Sequence, residues 1–155
     1  MSIPVRAFHI EQEVTIAASP VRVFDALTTD VAAWWGMPHM YAEDARDIVL
    51  EPRVGGRFYE DWGNGEGALY ATVAIARRPE RLRLVGSMGM RGAVAGVIEI
   101  TLAPQGPGTT LRLSHRAVGE VTEETETGYR DGWRGLLAER LKNYVERGVR
   151  SGLKR

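Results

Sequence analysis

Three polar side chains occupy positions where the sequence pattern predicts the inner face of a sheet. In several segments apolar residues alternate with polar ones, as in strands with one buried face, and His115, Gln12 and Glu60 fall on the apolar side of that alternation. Burial shifts the pKa of an imidazole or a carboxyl group, so His115 and Glu60 are candidates for a general base. Their apolar neighbours of the same parity are Leu111, Leu113 and Ala117 for His115, Ile10 and Val14 for Gln12, and Phe58 and Trp62 for Glu60.

Structural roles are the alternative for these residues, and they are the favoured ones. A lone inward histidine is more often a hydrogen-bonded core residue than a catalyst. An inward carboxylate more often pairs with an arginine, for which Arg57 and Arg91 are candidates. The catalytic residues therefore stay unassigned. Whether the chain is an enzyme stays open, with a preference for no.

Other catalytic and metal sites find little support. Ser114 and His115 are neighbours in a predicted strand, so their side chains point to opposite faces and cannot form a nucleophile–base pair. The sequence has no cysteine, no Gly-x-Ser-x-Gly and no His-Glu-x-x-His, and its three histidines are far apart. The glycine-rich stretch 63–67 lacks the Lys-Ser/Thr of a phosphate-binding loop. We expect no metal and no cofactor.

The charge balance limits the classes of partner. Twenty Lys and Arg offset twenty Asp and Glu in 155 residues, without long blocks of one sign, so we expect neither nucleic acid nor a membrane as a partner. The N-terminal residues lack the apolar core of a signal peptide, which favours a cytoplasmic protein. A net charge near zero makes self-association easier, so a homodimer is possible.

Residues 123–147 predict one long amphipathic helix, because apolar residues recur on a single face. That face needs a partner surface, and most of the preceding chain predicts short strands joined by turns. The expected strands are 8–17, 44–50, 57–62, 69–76, 81–87, 96–103 and 109–118, and two short helices follow Ser19-Pro20 and cover residues 31–36. Trp34 and Trp35 are not both expected to point inward. We predict one α+β domain over residues 1–155, with a frayed tail at 148–155.

One segment of the sequence and one part of the long helix have residue types that suit a ligand pocket. Met88 and Met90 lie in a glycine-rich segment whose flexible thioethers suit an adaptable pocket mouth; a mobile hairpin tip without a binding role is the alternative. Gly128 and Gly132 would let the helix either approach the sheet closely or bend away from it. We expect its N-terminal half, around Tyr129 and Trp133, to border the pocket, with the Tyr129 hydroxyl directed at a ligand. The candidate cavity residues are Gln12, Trp34, Trp35, Phe58, Glu60, Trp62, Met88, Met90, His115, Tyr129, Trp133 and Leu137.

Five local phrases, in this order, resemble one known family. They are IAASP at 16–20 with VFDALT at 23–28, the Trp34-Trp35 pair, PRVGGRF at 52–58, PERL at 79–82, and Gly132-Trp133 followed by Leu136, Leu137 and Leu141. The chain resembles the activator of heat-shock protein 90 ATPase homologue-like family, within the START and Bet v 1-like superfamily (SRPBCC). The resemblance implies a helix-grip fold: a curved seven-stranded antiparallel sheet around a long C-terminal helix, with a cavity between them.

The resemblance does not imply one function, since relatives bind lipids, sterols or polyketides and some act as cyclases or hydrolases. We expect a protein that binds a small apolar or amphipathic molecule. One alternative is a cyclase- or hydrolase-type enzyme using a cavity His or Glu as general base. Another is a chaperone-assisting interaction module. That role is less favoured, because the chaperone activator carries an additional N-terminal chaperone-binding domain and this sequence resembles only the helix-grip part.

Overall fold

The computed structural model describes residues 4–153, which form one seven-stranded antiparallel sheet with helices against its inner face. The strands are β1 (Arg6–Ile16), β2 (Asp47–Leu50), β3 (Arg57–Gly63), β4 (Glu66–Arg77), β5 (Arg81–Val85), β6 (Val94–Gln105) and β7 (Gly108–Gly119). The helices are α1 (Pro20–Leu27), α2 (Val31–Trp34), α3 (Glu123–Arg134) and α4 (Lys142–Arg147), with a π-helical turn at Gly135–Leu141 between the last two. The order of elements agrees with the sequence prediction.

Sheet topology follows from the short turns between successive strands. Strands β2 to β7 form a meander, and β1 pairs with β7 at the far side, which gives the order β1-β7-β6-β5-β4-β3-β2. Alternation places one set of side chains inward. In the register of β6 and β7, Ile98 lies opposite His115 and Ile100 lies opposite Leu113, and all four side chains are buried. The predicted α+β helix-grip architecture is confirmed.

The C-terminal helix covers the predicted residues but is not a uniform α-helix. Thr122 caps its start by accepting from the Thr125 amide at 3.1 Å, and Gly148 ends it in the left-handed conformation with a φ of 70°. The π turn in the middle has i→i+5 hydrogen bonds in place of i→i+4 bonds, so each turn there contains more residues. The buried face runs through both halves, with Trp133, Leu136, Leu137, Leu141 and Tyr144 packed into the core.

Both tryptophans of the adjacent pair are buried, so the prediction that they could not both point inward is wrong. Trp34 is the last helical residue of α2 and donates its indole N–H to the Ala26 carbonyl at 2.8 Å. Trp35 has already left the helix, with extended backbone angles (φ −89°, ψ 132°), which turns its side chain away from the direction that helical geometry would give. Its indole donates to the His39 carbonyl at 3.0 Å.

The predicted frayed tail is wrong for residues 151–153. The amides of Ser151 and Gly152 donate to the Ala33 carbonyl, and the Leu153 amide donates to the Trp35 carbonyl at 2.9 Å. These bonds hold residues 151–153 against α2; residues 154 and 155 of the expected tail lie outside the described part. Among the helices within residues 4–153, none combines the length and the apolar composition needed to cross a bilayer.

Candidate functional site

A cavity of about 540 Å³ opens at one end of the molecule, between α3 and two connections. One is residues 35–46 between α2 and β2, and the other is residues 86–93 between β5 and β6, here called the methionine loop. The lining residues are Trp35, Pro38, His39, Met40, Tyr41, Tyr70, Met88, Gly89, Met90, Arg91, Gly92, Glu120, Thr125, Gly128, Tyr129, Gly132, Trp133 and Leu136.

Helix α3 forms one wall, and its two glycines create space there. Gly128 and Gly132 lie on the lining face together with Tyr129 and Trp133. A Cβ atom at Gly128 would have no heavy atom within 4 Å, and one at Gly132 would approach the His39 ring at 3.5 Å. The N-terminal half of the long helix therefore borders the cavity, whereas Leu141 and Tyr144 of the C-terminal half lie in the core.

Aromatic rings form the inner end of the cavity. The Trp35 ring meets Trp133 edge-on with centroids 5.9 Å apart, and it lies 5.0 Å from Phe58 in the core behind it. Tyr41 stacks on Tyr70 at 6.3 Å with an interplanar angle of 15°. Contacting rings of this kind fix one another's positions, so the inner end is a preformed aromatic surface.

Two phenols hold the methionine loop in place. The Tyr129 hydroxyl donates to the Met88 carbonyl at 2.7 Å, and the Tyr41 hydroxyl donates to the Gly89 carbonyl at the same distance. Met88 has a φ of 51°, unusual for a residue with a side chain, and its amide donates to the Tyr70 carbonyl at 3.0 Å. The Tyr129 hydroxyl thus bonds the loop, where the sequence predicted that it would face a ligand. Burial raises the pKa of Tyr129 to about 12, which keeps the hydroxyl protonated as a donor.

Glu60 is fully buried and bound by four donors, none of them an arginine. Its carboxylate accepts from the amides of Tyr41 and Ala42 at 2.8 and 2.7 Å, from the Trp62 indole at 2.7 Å, and from the Tyr70 hydroxyl. The predicted pairing with Arg57 or Arg91 is wrong; Arg57 pairs with Glu51 at 3.0 Å. Burial alone would raise the pKa of Glu60, but the hydrogen bonds outweigh it and lower the pKa below the ordinary value.

His115 is also buried, behind residues that line the cavity. Its Nδ1 accepts from the Trp133 indole at 2.9 Å, so the proton of the neutral ring resides on Nε2. Nε2 has no hydrogen-bond partner within the described part of the chain. Burial lowers the pKa of His115 to about 4, which makes the imidazole neutral near pH 7.

Of the twelve candidate cavity residues, the structure brings five together at the cavity: Trp35, Met88, Met90, Tyr129 and Trp133. Four others are buried away from the lining: Trp34, Phe58, His115 and Leu137. Gln12 is half-buried and donates to the Arg130 carbonyl at 2.7 Å, and Glu60 is enclosed by its donors. Trp62 is 41% exposed, because the register shift between Asp61 and Gly63 interrupts the alternation that predicted it to face inward.

Sequence reasoning missed most of the loop residues in the lining. Pro38, His39, Met40 and Tyr41 belong to an irregular connection, for which neither a 2-residue nor a 3.6-residue period exists. The sequence pattern also did not assign Arg91 and Glu120 to the lining, because these residues flank strands and do not lie within them. Tyr41 and Tyr70 had a usable signal in their aromatic side chains, which are common in the lining of ligand pockets. Within residues 4–153 no three His, Asp or Glu side chains form a cluster suited to a metal ion.

A comparison with protein families identifies the relatives of this fold. The model described as Activator of Hsp90 ATPase homolog 1-like protein matches residues 17–146, most of the chain. The chain belongs to this family. The resemblance in the sequence is thereby confirmed, and this helix-grip fold is generally of a ligand-binding type. A search of curated proteins found no match.

Solved structures similar to this member of the Activator of Hsp90 ATPase homolog 1-like family share its fold. A crystal structure from Chromobacterium violaceum aligns with a TM-score of 0.68 and 21% identity, covering 89% of this chain and 96% of that one. The Aha1 dimer from Colwellia psychrerythraea, solved in solution, aligns at 0.66 and 22%, covering 91% and 98%. DynU16, a protein in the dynemicin biosynthetic locus, aligns at 0.67 and 21%, covering 93% of this chain and 49% of that one.

Proposed function

We propose that this chain is a small-molecule binding protein whose cavity holds an apolar or amphipathic ligand. The observation that supports this proposal is the cavity of about 540 Å³ under the N-terminal half of the long helix. Pockets that bind drug-sized ligands typically have volumes of about 300–1,000 Å³. A compound with two or three fused or linked rings is the matching size class.

The lining favours an apolar ligand body. Trp35, Trp133 and Leu136 offer rigid apolar surface, while Met88 and Met90 offer flexible thioethers that adapt to different shapes. The hydroxyls of Tyr41 and Tyr129 are already used by the methionine loop. What these side chains present to a ligand is therefore mainly ring surface.

The positions of His115 and Glu60 support binding over acid–base catalysis. His115 does not line the cavity and is neutral, and Glu60 is enclosed by four donors with a lowered pKa. A general base needs to reach the proton that it removes.

Self-association stays a prediction from the near-zero net charge; the similar Colwellia protein is a dimer in solution.

A fluorescence titration with the neutral probe phenylnaphthylamine tests the proposal. The unsubstituted protein should bind the probe saturably. Gly128→Leu should weaken binding about tenfold or more, about 1.4 kcal/mol, because its side chain would extend from a lining position with open space around the Cβ. Leucine is a better helix former than glycine, so the fold should survive the substitution.

Gly135→Leu is the matched control, since it places the same side chain on the same helix away from the lining. A Cβ there would meet only the Glu139 carboxylate, at 4.0 Å. The control should bind the probe as the unsubstituted protein does. Absence of saturable binding, or equal binding by the Gly128 variant, would contradict the proposal.

A further inference from the structure

The rim of the cavity has one positive charge without an ion-pair partner. Arg91 is exposed at the lining, and its guanidinium lies over the Tyr41 ring at 5.0 Å from the centroid. Within residues 4–153 it makes no ion pair and no hydrogen bond. Arg78 and Arg112 differ in this respect, since they are paired with Asp25 and Glu13 at 2.8 and 3.0 Å.

The backbone beside Arg91 has free donors as well. The amides of Arg91 and Gly92 donate to no acceptor in the described part of the chain. The next amide, of Ala93, donates to the Glu120 carboxylate at 2.6 Å. This end of the methionine loop therefore already binds one carboxylate oxygen, and two adjacent amides are available for another acceptor.

The other titratable groups of the lining do not compensate the charge of Arg91. Burial lowers the pKa of His39, so that ring is neutral near pH 7, and the pKa of Tyr129 is raised to about 12. Glu120 is the one acidic side chain of the described lining, and no ion pair joins it to Arg91. Its carboxylate weakens the attraction for an anion but leaves the guanidinium unpaired.

We infer that the rim is an anion subsite, and that the cavity selects ligands with an apolar, ring-containing body and a carboxylate or similar anionic group at one end. This inference rests on the proposed function. The body would lie against Trp35 and Trp133, while the anionic end would remain at the rim within reach of the Arg91 guanidinium, which can bind two oxygens at once. Keeping the charge at the opening avoids the large cost of burying it.

A pair of probes that differ by one anionic group tests the inference. Anilinonaphthalene sulfonate has the ring framework of phenylnaphthylamine plus one sulfonate. The sulfonate probe should bind the unsubstituted protein more tightly than the neutral probe does. Arg91→Gln should weaken the sulfonate probe about fivefold, the size expected for an exposed ion pair, and leave the neutral probe within about twofold. Added salt should weaken only the sulfonate probe.

Arg116→Gln is the control for charge alone, because Arg116 is exposed on β7 and is not part of the lining. It should change neither affinity. Saturable binding of the neutral probe, with a sulfonate affinity that Arg91→Gln leaves unchanged, would overturn the anion subsite while the proposed function stands. Failure of both probes to bind would overturn the proposed function and the subsite together.

Discussion

His115 shows how burial determines the protonation state of a single residue. The imidazole is completely shielded from solvent, its Nδ1 is used by the Trp133 indole, and its ring packs edge-on against Phe8 at 5.2 Å and Tyr129 at 5.8 Å. Within residues 4–153 no carboxylate pairs with it to stabilise the protonated form. The folded state therefore contains the neutral imidazole, and lowering the pH should destabilise the folded state.

We predict that His115→Gln flattens the acid dependence of stability. The pKa of His115 is about 4 in the fold and about 6.5 in the unfolded chain. The unfolded chain therefore takes up a proton first as the pH falls below 6.5. The neutral ring contributes its full stability above that pH, and this contribution is lost progressively as the pH falls from 6.5 to about 4. Between pH 6.5 and 5 this loss is about 2 kcal/mol.

Urea unfolding at several pH values measures the effect. Glutamine keeps an acceptor for the Trp133 indole and does not titrate, so its free energy of unfolding should change less over that interval. Trp133→Phe is the control, because it removes the donor and keeps the imidazole; it should retain the acid dependence. An equal loss in His115→Gln and the unsubstituted protein would show that another group is responsible.

At this scale the sequence predicted which way side chains face, but not what they contact. Strand parity correctly placed His115 and Glu60 inside, because alternation is a local property of the backbone. Their partners come from distant segments: Trp133 from α3, and the amides of Tyr41 and Ala42 from an irregular connection. Only the assembled fold determines those contacts, so a core histidine could not be distinguished from a cavity histidine.

At the scale of elements, two of the hydrogen bonds that hold the methionine loop within the described residues are donated by side chains from outside it. Tyr41 reaches Gly89 from the connection after α2, and Tyr129 reaches Met88 from α3. The loop itself contributes the Met90 amide bond to the Ser87 carbonyl. Because the two phenols come from different walls of the cavity, they couple the position of the loop to both walls.

We predict that Tyr129→Phe loosens the methionine loop without unfolding the protein. It removes the bond to the Met88 carbonyl and keeps the ring, at a cost of about 1 kcal/mol. Amide hydrogen exchange should then be at least several-fold faster at Met88, whose amide bonds the Tyr70 carbonyl. Tyr59→Phe is the control, since no hydrogen bond involves the Tyr59 hydroxyl within the described residues. Unchanged exchange at Met88 in Tyr129→Phe would mean that the loop is held without this bond.

Most elements could be predicted from the sequence because their signals are local. The long helix covers residues 123–147, as its apolar periodicity predicted, and each strand lies within a few residues of its expected bounds. The π turn at Gly135–Leu141 could not be predicted, because the apolar spacing through Leu136, Leu137 and Leu141 also suits an α-helix. The inward turn of Trp35 likewise depends on the helix ending at Trp34, two residues earlier than expected.

At the scale of the whole molecule, the cavity exists only when three distant parts of the chain are assembled. Its lining comes from residues 35–41, 88–92 and 125–136, with Tyr70 and Glu120 from the sheet and its end. None of these segments encloses a space by itself. Binding in the cavity should therefore favour the folded state as a unit, since a ligand that contacts all three segments has no equivalent site on the unfolded chain.

We predict that phenylnaphthylamine raises the melting temperature of the unsubstituted protein. At a free concentration ten times its dissociation constant, a ligand specific for the folded state stabilises it by about 1.4 kcal/mol. For a chain of this size that corresponds to a shift of about 3 to 6 °C, which scanning calorimetry can resolve. Gly128→Leu should show a much smaller shift at the same probe concentration, and Gly135→Leu should show the full one. Equal shifts in all three proteins would place the binding site outside the cavity, because the two substitutions differ in whether the new side chain lies at its lining.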